Sequence, residues 1–99
     1  MQTSPLDLFN ELDKELYTNA RQSRELAYRD GSISKKHKYL IAIALDATHG
    51  SVDGVRALTK QALECGVTQE EVIEALRITN YISGVGSIYT AAKALDGIF

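Results

Sequence analysis

The residues with the clearest chemical potential surround the short segment His49-Gly50-Ser51. His49 could act as a general acid or base, because an unperturbed imidazole titrates near neutral pH. Ser51 could be a nucleophile if His49 activates it, and Tyr39 could donate a hydrogen bond into the same pocket. Each residue also has a simpler structural interpretation, which we favour: His49 at the end of a helix, Ser51 as the N-cap of the next helix, and Tyr39 as a buried aromatic residue.

The chain offers few other groups for binding or catalysis. An acidic ligand would need a cation, for which Arg56 is the candidate, with Arg77 and His37 as further available groups. The two histidines lie far apart in the sequence, and no cluster of cysteine and histidine is present, so we expect no metal site. The single cysteine, Cys65, excludes an internal disulfide and fits a structural thiol at a helix end. We therefore predict no cofactor.

Two helices and the turn between them would position the candidate residues. Apolar residues recur at helical spacing over 35–48, following Ser34 as a possible N-cap. Gly50 can take the left-handed conformation that ends a helix, and Ser51 can cap the next one. The sequence thus predicts a helical hairpin over residues 34–66 as the core of the domain.

The remaining segments also read as helices. Ser4 and Pro5 begin a predicted helix over 5–28, and Thr68 with Glu71 forms a capping box for the fourth helix. A glycine-containing break follows, and then a last helix over about 87–95. Because no segment reads as a strand, we predict an all-α fold of about five helices. The side chains of the fourth helix that we expect to face inward are Val72, Ile73, Leu76, Ile78 and Thr79.

Length and charge exclude several classes of protein. With 99 residues, one domain over 1–99 is the default, and 44% hydrophobic residues in so short a chain predict a homo-oligomer. The net charge is −2, with acids and bases interleaved, so we expect no nucleic-acid partner. No apolar run approaches the length of a membrane span, and acidic residues near the N-terminus argue against a signal peptide. We therefore expect a cytoplasmic protein with no membrane partner.

The order of these segments resembles the carboxymuconolactone decarboxylase family, which includes the alkylhydroperoxidase D proteins. The resemblance covers about residues 30–95. It rests on the sequences DGSISKKHKYLIAIALDATHGS at 30–51 and ALECGVTQEEVIEAL at 62–76. It implies an all-α domain, preceded here by the helix at 5–28, that assembles through helix packing into dimers, trimers or hexamers.

The redox members of this family carry a Cys-x-x-Cys-x-x-x-His motif and a glutamate twelve residues before the first cysteine. By the resemblance, the glutamate position is Tyr39, the cysteine positions are Ser51 and Gly54, and the histidine position is Leu58. None of the four residue types is kept. A serine cannot form the sulfenic acid or the disulfide that a peroxidase cycle needs. The sequence therefore predicts a degenerate active site and argues against the alkylhydroperoxidase reaction.

Two hypotheses about function follow. The first is that the protein is a non-redox module that either binds a ligand, such as a small molecule, or mediates assembly. The alternative is a cofactor-free, decarboxylase-like enzyme that acts on a small acidic substrate, with His49 as acid or base and Tyr39 or Arg56 helping to bind. The enzyme hypothesis requires His49, Tyr39 and Ser51 around one enclosed cavity.

Overall fold

The computed structural model describes residues 4–99, which divide into two compact units. The first unit contains the described residues up to Asp30, and the second is Gly31–Phe99. Every regular element among the described residues is a helix, which confirms the predicted all-α class. The predicted N-terminal helix falls within the first unit and the family-like region at 30–95 falls almost entirely within the second.

The first unit contains three helical pieces, a 3-10 helix Pro5–Leu8, α1 Phe9–Leu12 and α2 Lys14–Tyr28. Ser4 caps the first piece as predicted, since its Oγ accepts a hydrogen bond from the Leu6 N–H at 3.2 Å. The prediction of one helix over 5–28 is wrong, because Asp13 leaves the helical conformation with φ −157° and ψ 90°. Its Oδ1 accepts a hydrogen bond from the Leu16 N–H at 3.0 Å, which starts a new helix there.

The second unit contains four helices whose ends agree closely with the local sequence signals. Three side chains predicted as N-caps accept hydrogen bonds from backbone N–H groups three residues ahead: Ser34 at 3.4 Å, Ser51 at 3.3 Å and Thr68 at 3.1 Å. Gly50 has a φ of +78°, the left-handed conformation expected of it. The helices are α3 Lys35–Thr48, α4 Val52–Glu64, α5 Gln69–Ser83 and α6 Gly86–Leu95.

Helix α3 makes the most extensive contacts in this unit, chiefly with α4 and also with α5 and α6, and α6 likewise contacts the other three helices. The hairpin predicted at 34–66 therefore supplies the helix with the most extensive contacts and its main partner. Buried side chains nevertheless come from all four helices, so α5 and α6 complete the core. These buried side chains are Tyr39, Ile43 and Ala47 on α3, Val55, Thr59 and Ala62 on α4, Val72, Leu76 and Thr79 on α5, and Ser87, Ala91, Ala94 and Leu95 on α6.

The inward face of α5 is narrower than the sequence predicts. Val72, Leu76 and Thr79 are buried, whereas Ile73 and Ile78 are exposed, so the prediction for these two isoleucines is wrong. Successive residues of a helix turn by about 100°, which places Ile78 on a different side from Leu76. Residue type alone does not distinguish a buried apolar side chain from one that belongs to a second, exposed apolar stripe of α5.

Helices α3 and α5 run parallel, as contacts at their two ends show. At the N-terminal ends, Lys36 Nζ lies 3.3 Å from Glu71 Oε1. At the C-terminal ends, the hydroxyls of Thr48 and Ser83 are hydrogen-bonded at 3.0 Å. These two contacts tie the helices together at both ends and leave the surface between them open.

Candidate functional site

The turn between α3 and α4 holds two of the predicted site residues. His49 is the C-cap of α3 and its side chain is exposed. Ser51 is the N-cap of α4, where its Oγ accepts a hydrogen bond from the Gly54 N–H at 3.3 Å. The backbone N–H of Ser51 also donates to the Asp46 carbonyl at 2.9 Å. Both residues therefore have the structural roles that the sequence favours, and their catalytic roles stay predictions.

The carboxylate of Asp46, which the sequence offers with that of Asp53 as a candidate partner by proximity alone, lies beside this turn. A β-carbon placed on Gly54 would collide with the carboxylate of Asp46 and would come within 2.6 Å of Ser51 Oγ. The Asp46 carboxylate and the Ser51 hydroxyl therefore flank the same point on the first turn of α4. Asp53, by contrast, points into solvent. Spacing along the sequence offers both acids as neighbours of Ser51, and only the three-dimensional structure selects Asp46.

Tyr39 lies apart from the turn. It is buried on α3, ten residues before His49, which corresponds to about 15 Å along a helix axis. The structure therefore brings Ser51 and His49 to one end of α3 and places Tyr39 two to three turns away, inside the core. None of the three residues lines the surface groove between α3 and α5.

The guanidinium of Arg56, the predicted ligand-binding cation, bonds the end of α6. Its Nε donates to the Ala94 carbonyl at 3.2 Å and its Nη2 to the Lys93 carbonyl at 3.0 Å. Its Nη1 lies 4.0 Å from Asp53 Oδ1. Carbonyls in the last turn of a helix lack partners within the helix, so a cation is favourable there. Binding of an acidic ligand by Arg56 stays a prediction.

One feature with the volume of a binding site is an open groove of about 650 Å³ between α3 and α5. We call it the α3–α5 groove. Its floor and walls are mostly aliphatic, with polar side chains concentrated toward the ends. The lining residues are His37, Leu40, Ile41, Ala44, Leu45 and Thr48 on α3, and Glu71, Glu74, Ala75, Ile78, Thr79, Ile82 and Ser83 on α5.

Charged groups gather at one end of this groove, near the N-termini of both helices. Glu71 accepts a hydrogen bond from the Thr68 N–H at 2.9 Å and pairs with Lys36. The Thr68 N–H first, and then Lys36, hold the pKa of the Glu71 carboxyl below its usual value of 4.5. The ring Nδ1 of His37 lies 3.1 Å from Ser34 Oγ. The opposite end carries the hydrogen-bonded hydroxyls of Thr48 and Ser83.

The described part of the chain offers few groups for metal binding or thiol chemistry. No three residues among its histidines, cysteines, aspartates and glutamates come together in a way that could hold a metal ion. Cys65 is an exposed free thiol at the C-terminus of α4.

Comparison with known proteins identifies the family. The carboxymuconolactone decarboxylase family model matches residues 14–97. The chain belongs to this family. A solved structure of an apo carboxymuconolactone decarboxylase family protein from Legionella pneumophila is 31% identical, with a TM-score of 0.86 over 92% of this chain and 81% of that chain. An uncharacterized protein from Cupriavidus necator is 39% identical over 69 residues, which are 70% of this chain and 61% of that relative.

The family match begins earlier than the resemblance at 30–95 suggests, since it includes all of α2. In this carboxymuconolactone decarboxylase family member, the four positions that the resemblance assigns to redox chemistry hold Tyr39, Ser51, Gly54 and Leu58. The structure buries the first and uses the second as an N-cap. No helix among the described residues has both the length and the apolar character needed to cross a membrane.

Proposed function

We propose that this family member is a non-redox assembly module in which a second copy of the chain covers the α3–α5 groove. The observation that carries this proposal is the exposure of large aliphatic side chains along the groove. Ile41 is 48% exposed, Leu45 55%, Ile78 68% and Ile82 73%. Contiguous apolar surface on this scale is unusual on a monomer and typically marks an interaction site.

The groove also has the form that a helical partner fits. Its lining residues recur at three- and four-residue spacing on both helices, which is the pattern of a helix face that packs against another helix. Two parallel helices with apolar stripes can pair with the same two helices of a second copy. Symmetric pairing of this kind is the commonest route to a small oligomer. The family resemblance, which implies assembly through helix packing, supports the same partner.

The non-redox part of the proposal rests on the cysteine content. The chain has one cysteine, Cys65, and a hydroperoxide reductase cycle of the family type needs two. In that cycle two thiols become a disulfide while the hydroperoxide becomes an alcohol and water. We expect no turnover of a hydroperoxide with a dithiol donor above the rate of a C65S variant. Saturable turnover that survives C65S would contradict the proposal.

Assembly through the groove can be tested with two substitutions on one helix. Ile82 lines the groove. Ile73 lies on the opposite side of α5, about 180° around the helix axis from Ile82, does not line the groove and is 39% exposed. We expect light scattering after size exclusion to show an oligomer for the wild-type chain and for I73E, and a monomer for I82E. Circular dichroism should show that both variants stay helical.

The outcome also separates the alternatives. A monomeric wild-type chain at micromolar concentration would contradict the proposal and leave the groove open to a small apolar ligand. An oligomer that I82E does not weaken would place the interface elsewhere. The enzyme hypothesis has less support, because Tyr39 is buried, the Arg56 guanidinium is bonded to the end of α6, and His49 is exposed.

A further inference from the structure

Tyr81 on α5 is the most exposed large apolar side chain in the described part of the chain, at 86%, and it does not line the α3–α5 groove. It follows Ile78 by three residues and Glu74 by seven, so the three side chains share one face of α5. Glu74 lines the groove and is exposed. The apolar surface proposed for assembly is therefore flanked on α5 by a carboxylate and a phenol hydroxyl whose role it does not explain.

The contacts at the two ends of the groove show which residues of α3 and α5 lie side by side. Lys36 contacts Glu71 at one end, and Thr48 contacts Ser83 at the other. In both pairs the residue numbers differ by 35. Residues of α3 and α5 that differ by this number therefore lie at the same height along the groove.

A single two-fold axis can relate both helices to those of a second copy. The midpoint between Glu74 and Tyr81 on α5 lies level with the point between residues 42 and 43 on α3. The groove-lining residues of α3 form three pairs that are symmetric about that same point: His37 with Thr48, Leu40 with Leu45, and Ile41 with Ala44. A two-fold interface requires such symmetry, because each of its contacts occurs twice with the roles of the copies exchanged.

The charges at the ends of the groove decide the direction in which the second copy runs. If both copies ran the same way, the carboxylates of Glu71 and Glu74 from both would lie at one end, and like charges placed together disfavour an interface. If the copies run in opposite directions, the charged end of each groove lies over the hydroxyls of Thr48 and Ser83 in the other. Hydroxyls can donate to carboxylates, so the antiparallel arrangement is the complementary one.

We infer that Tyr81 extends the assembly interface beyond the groove, its hydroxyl donating a hydrogen bond to the Glu74 carboxylate of a second, antiparallel copy. The axis passes close to Ile78, and the contact forms twice in each pair of copies. The groove supplies the apolar contact, and the two hydrogen bonds fix the direction and register in which the copies meet. This inference deepens the proposed function and rests on it.

A double-mutant cycle on the dissociation constant of the assembly, measured by sedimentation equilibrium, tests the contact. Y81F removes the donor and E74A removes the acceptor. We expect Y81F to raise the dissociation constant about tenfold in the wild-type background, because two hydrogen bonds to a charged acceptor are lost, and less than about twofold in the E74A background. Y89F is the matched control, because Tyr89 is 67% exposed but belongs to α6, and it should leave the constant unchanged.

The outcomes separate this inference from the proposed function. Equal effects of Y81F in the two backgrounds would overturn the inference, since Tyr81 would then act without Glu74. If Y81F has no effect on a chain that I82E makes monomeric, the inference is overturned and the proposed function stands. A monomeric wild-type chain would contradict the proposed function and the inference with it.

Disulfide trapping in a C65S background tests the direction of the copies directly. E74C and Y81C are made in separate chains and mixed with oxidised glutathione, which is reduced to two glutathione thiols as each disulfide forms. We expect mass spectrometry to show a cross-link between positions 74 and 81 in the mixture. Neither variant alone should cross-link efficiently, because identical positions lie roughly 10 Å apart along the antiparallel helices. A disulfide that forms as readily between two E74C chains would overturn the inference.

Discussion

At the scale of single residues, the burial of the Thr59 hydroxyl on α4 is unfavourable. It is completely buried, and within the described part of the chain its Oγ1 has no hydrogen-bond partner. A buried hydroxyl without a partner costs roughly 1–3 kcal/mol. We predict that T59V, which keeps the shape and removes the hydroxyl, raises the free energy of unfolding by about 1 kcal/mol in urea denaturation.

Thr79 on α5 supplies the matched control for this prediction. It is also buried, but its Oγ1 donates to the Ala75 carbonyl at 2.8 Å. T79V should therefore be neutral or destabilising. If T59V and T79V change the free energy of unfolding in the same direction and by the same amount, the difference between the two hydroxyls has no energetic meaning.

Arg56 is the second residue whose surroundings predict a measurable effect. Its guanidinium donates to two carbonyls at the end of α6 from a partly exposed position. Hydrogen bonds from charged groups contribute more than neutral ones, and partial exposure reduces the value, so R56A should cost about 1–2 kcal/mol. R77A is the control, because Arg77 is exposed, and it should change the free energy of unfolding by less than about 0.5 kcal/mol.

At the scale of helices, the N-terminus of α5 links stability to pH. The Thr68 N–H and Lys36 stabilise the charged form of Glu71, so its folded pKa lies below the value of 4.5. A lowered pKa stabilises the fold above the unfolded value, and this contribution is lost as pH falls through the folded pKa. We predict that the melting temperature of E71Q falls less than that of the wild type between about pH 5 and pH 3.

The neighbouring acid provides the comparison for this pH dependence. Glu70 lies in the same first turn of α5 and is exposed, whereas the capping hydrogen bond from the Thr68 N–H goes to Glu71. The acid-induced loss in E70Q should therefore match that of the wild type. A wild-type loss no larger than that of E71Q would show that the capping box does not set the acid sensitivity.

The helices also show how far the sequence predicts this structure. The caps at Ser34, Ser51 and Thr68 were predictable because each depends on residues three positions apart. Contacts between helices were not, because the local pattern does not specify which side chains meet. The position of Asp46 against Gly54 and the open face with Ile78 both depend on how α3 packs against its neighbours.

The break at Asp13 illustrates the same limit at shorter range. Aspartate is a frequent N-cap, but it also occurs within the first turns of helices, so its type alone does not decide between the two. The apolar spacing continues across Asp13 and favours one helix, whereas the backbone leaves the helical conformation at that residue. For the site, the sequence correctly predicted the roles of Ser51 as an N-cap and Tyr39 as a buried residue.

At the scale of the whole molecule, assembly through the α3–α5 groove would couple stability to concentration. Association of folded chains stabilises the folded state by mass action. We predict that the melting temperature of the wild type rises by several degrees as the concentration increases from about 1 to about 100 µM. I82E should remove this dependence and I73E should keep it. A wild-type melting temperature independent of concentration would contradict assembly.

Because α3 and α5 run parallel, their helix dipoles point the same way along the groove. Each helix carries partial positive charge at its N-terminus and partial negative charge at its C-terminus, and the two dipoles add because the helices run the same way. A third helix in the groove is favoured when its own dipole points the opposite way. Packing of two copies groove against groove is therefore most favourable when α3 and α5 of one copy run antiparallel to α3 and α5 of the other. A two-fold axis perpendicular to the helices creates this relation.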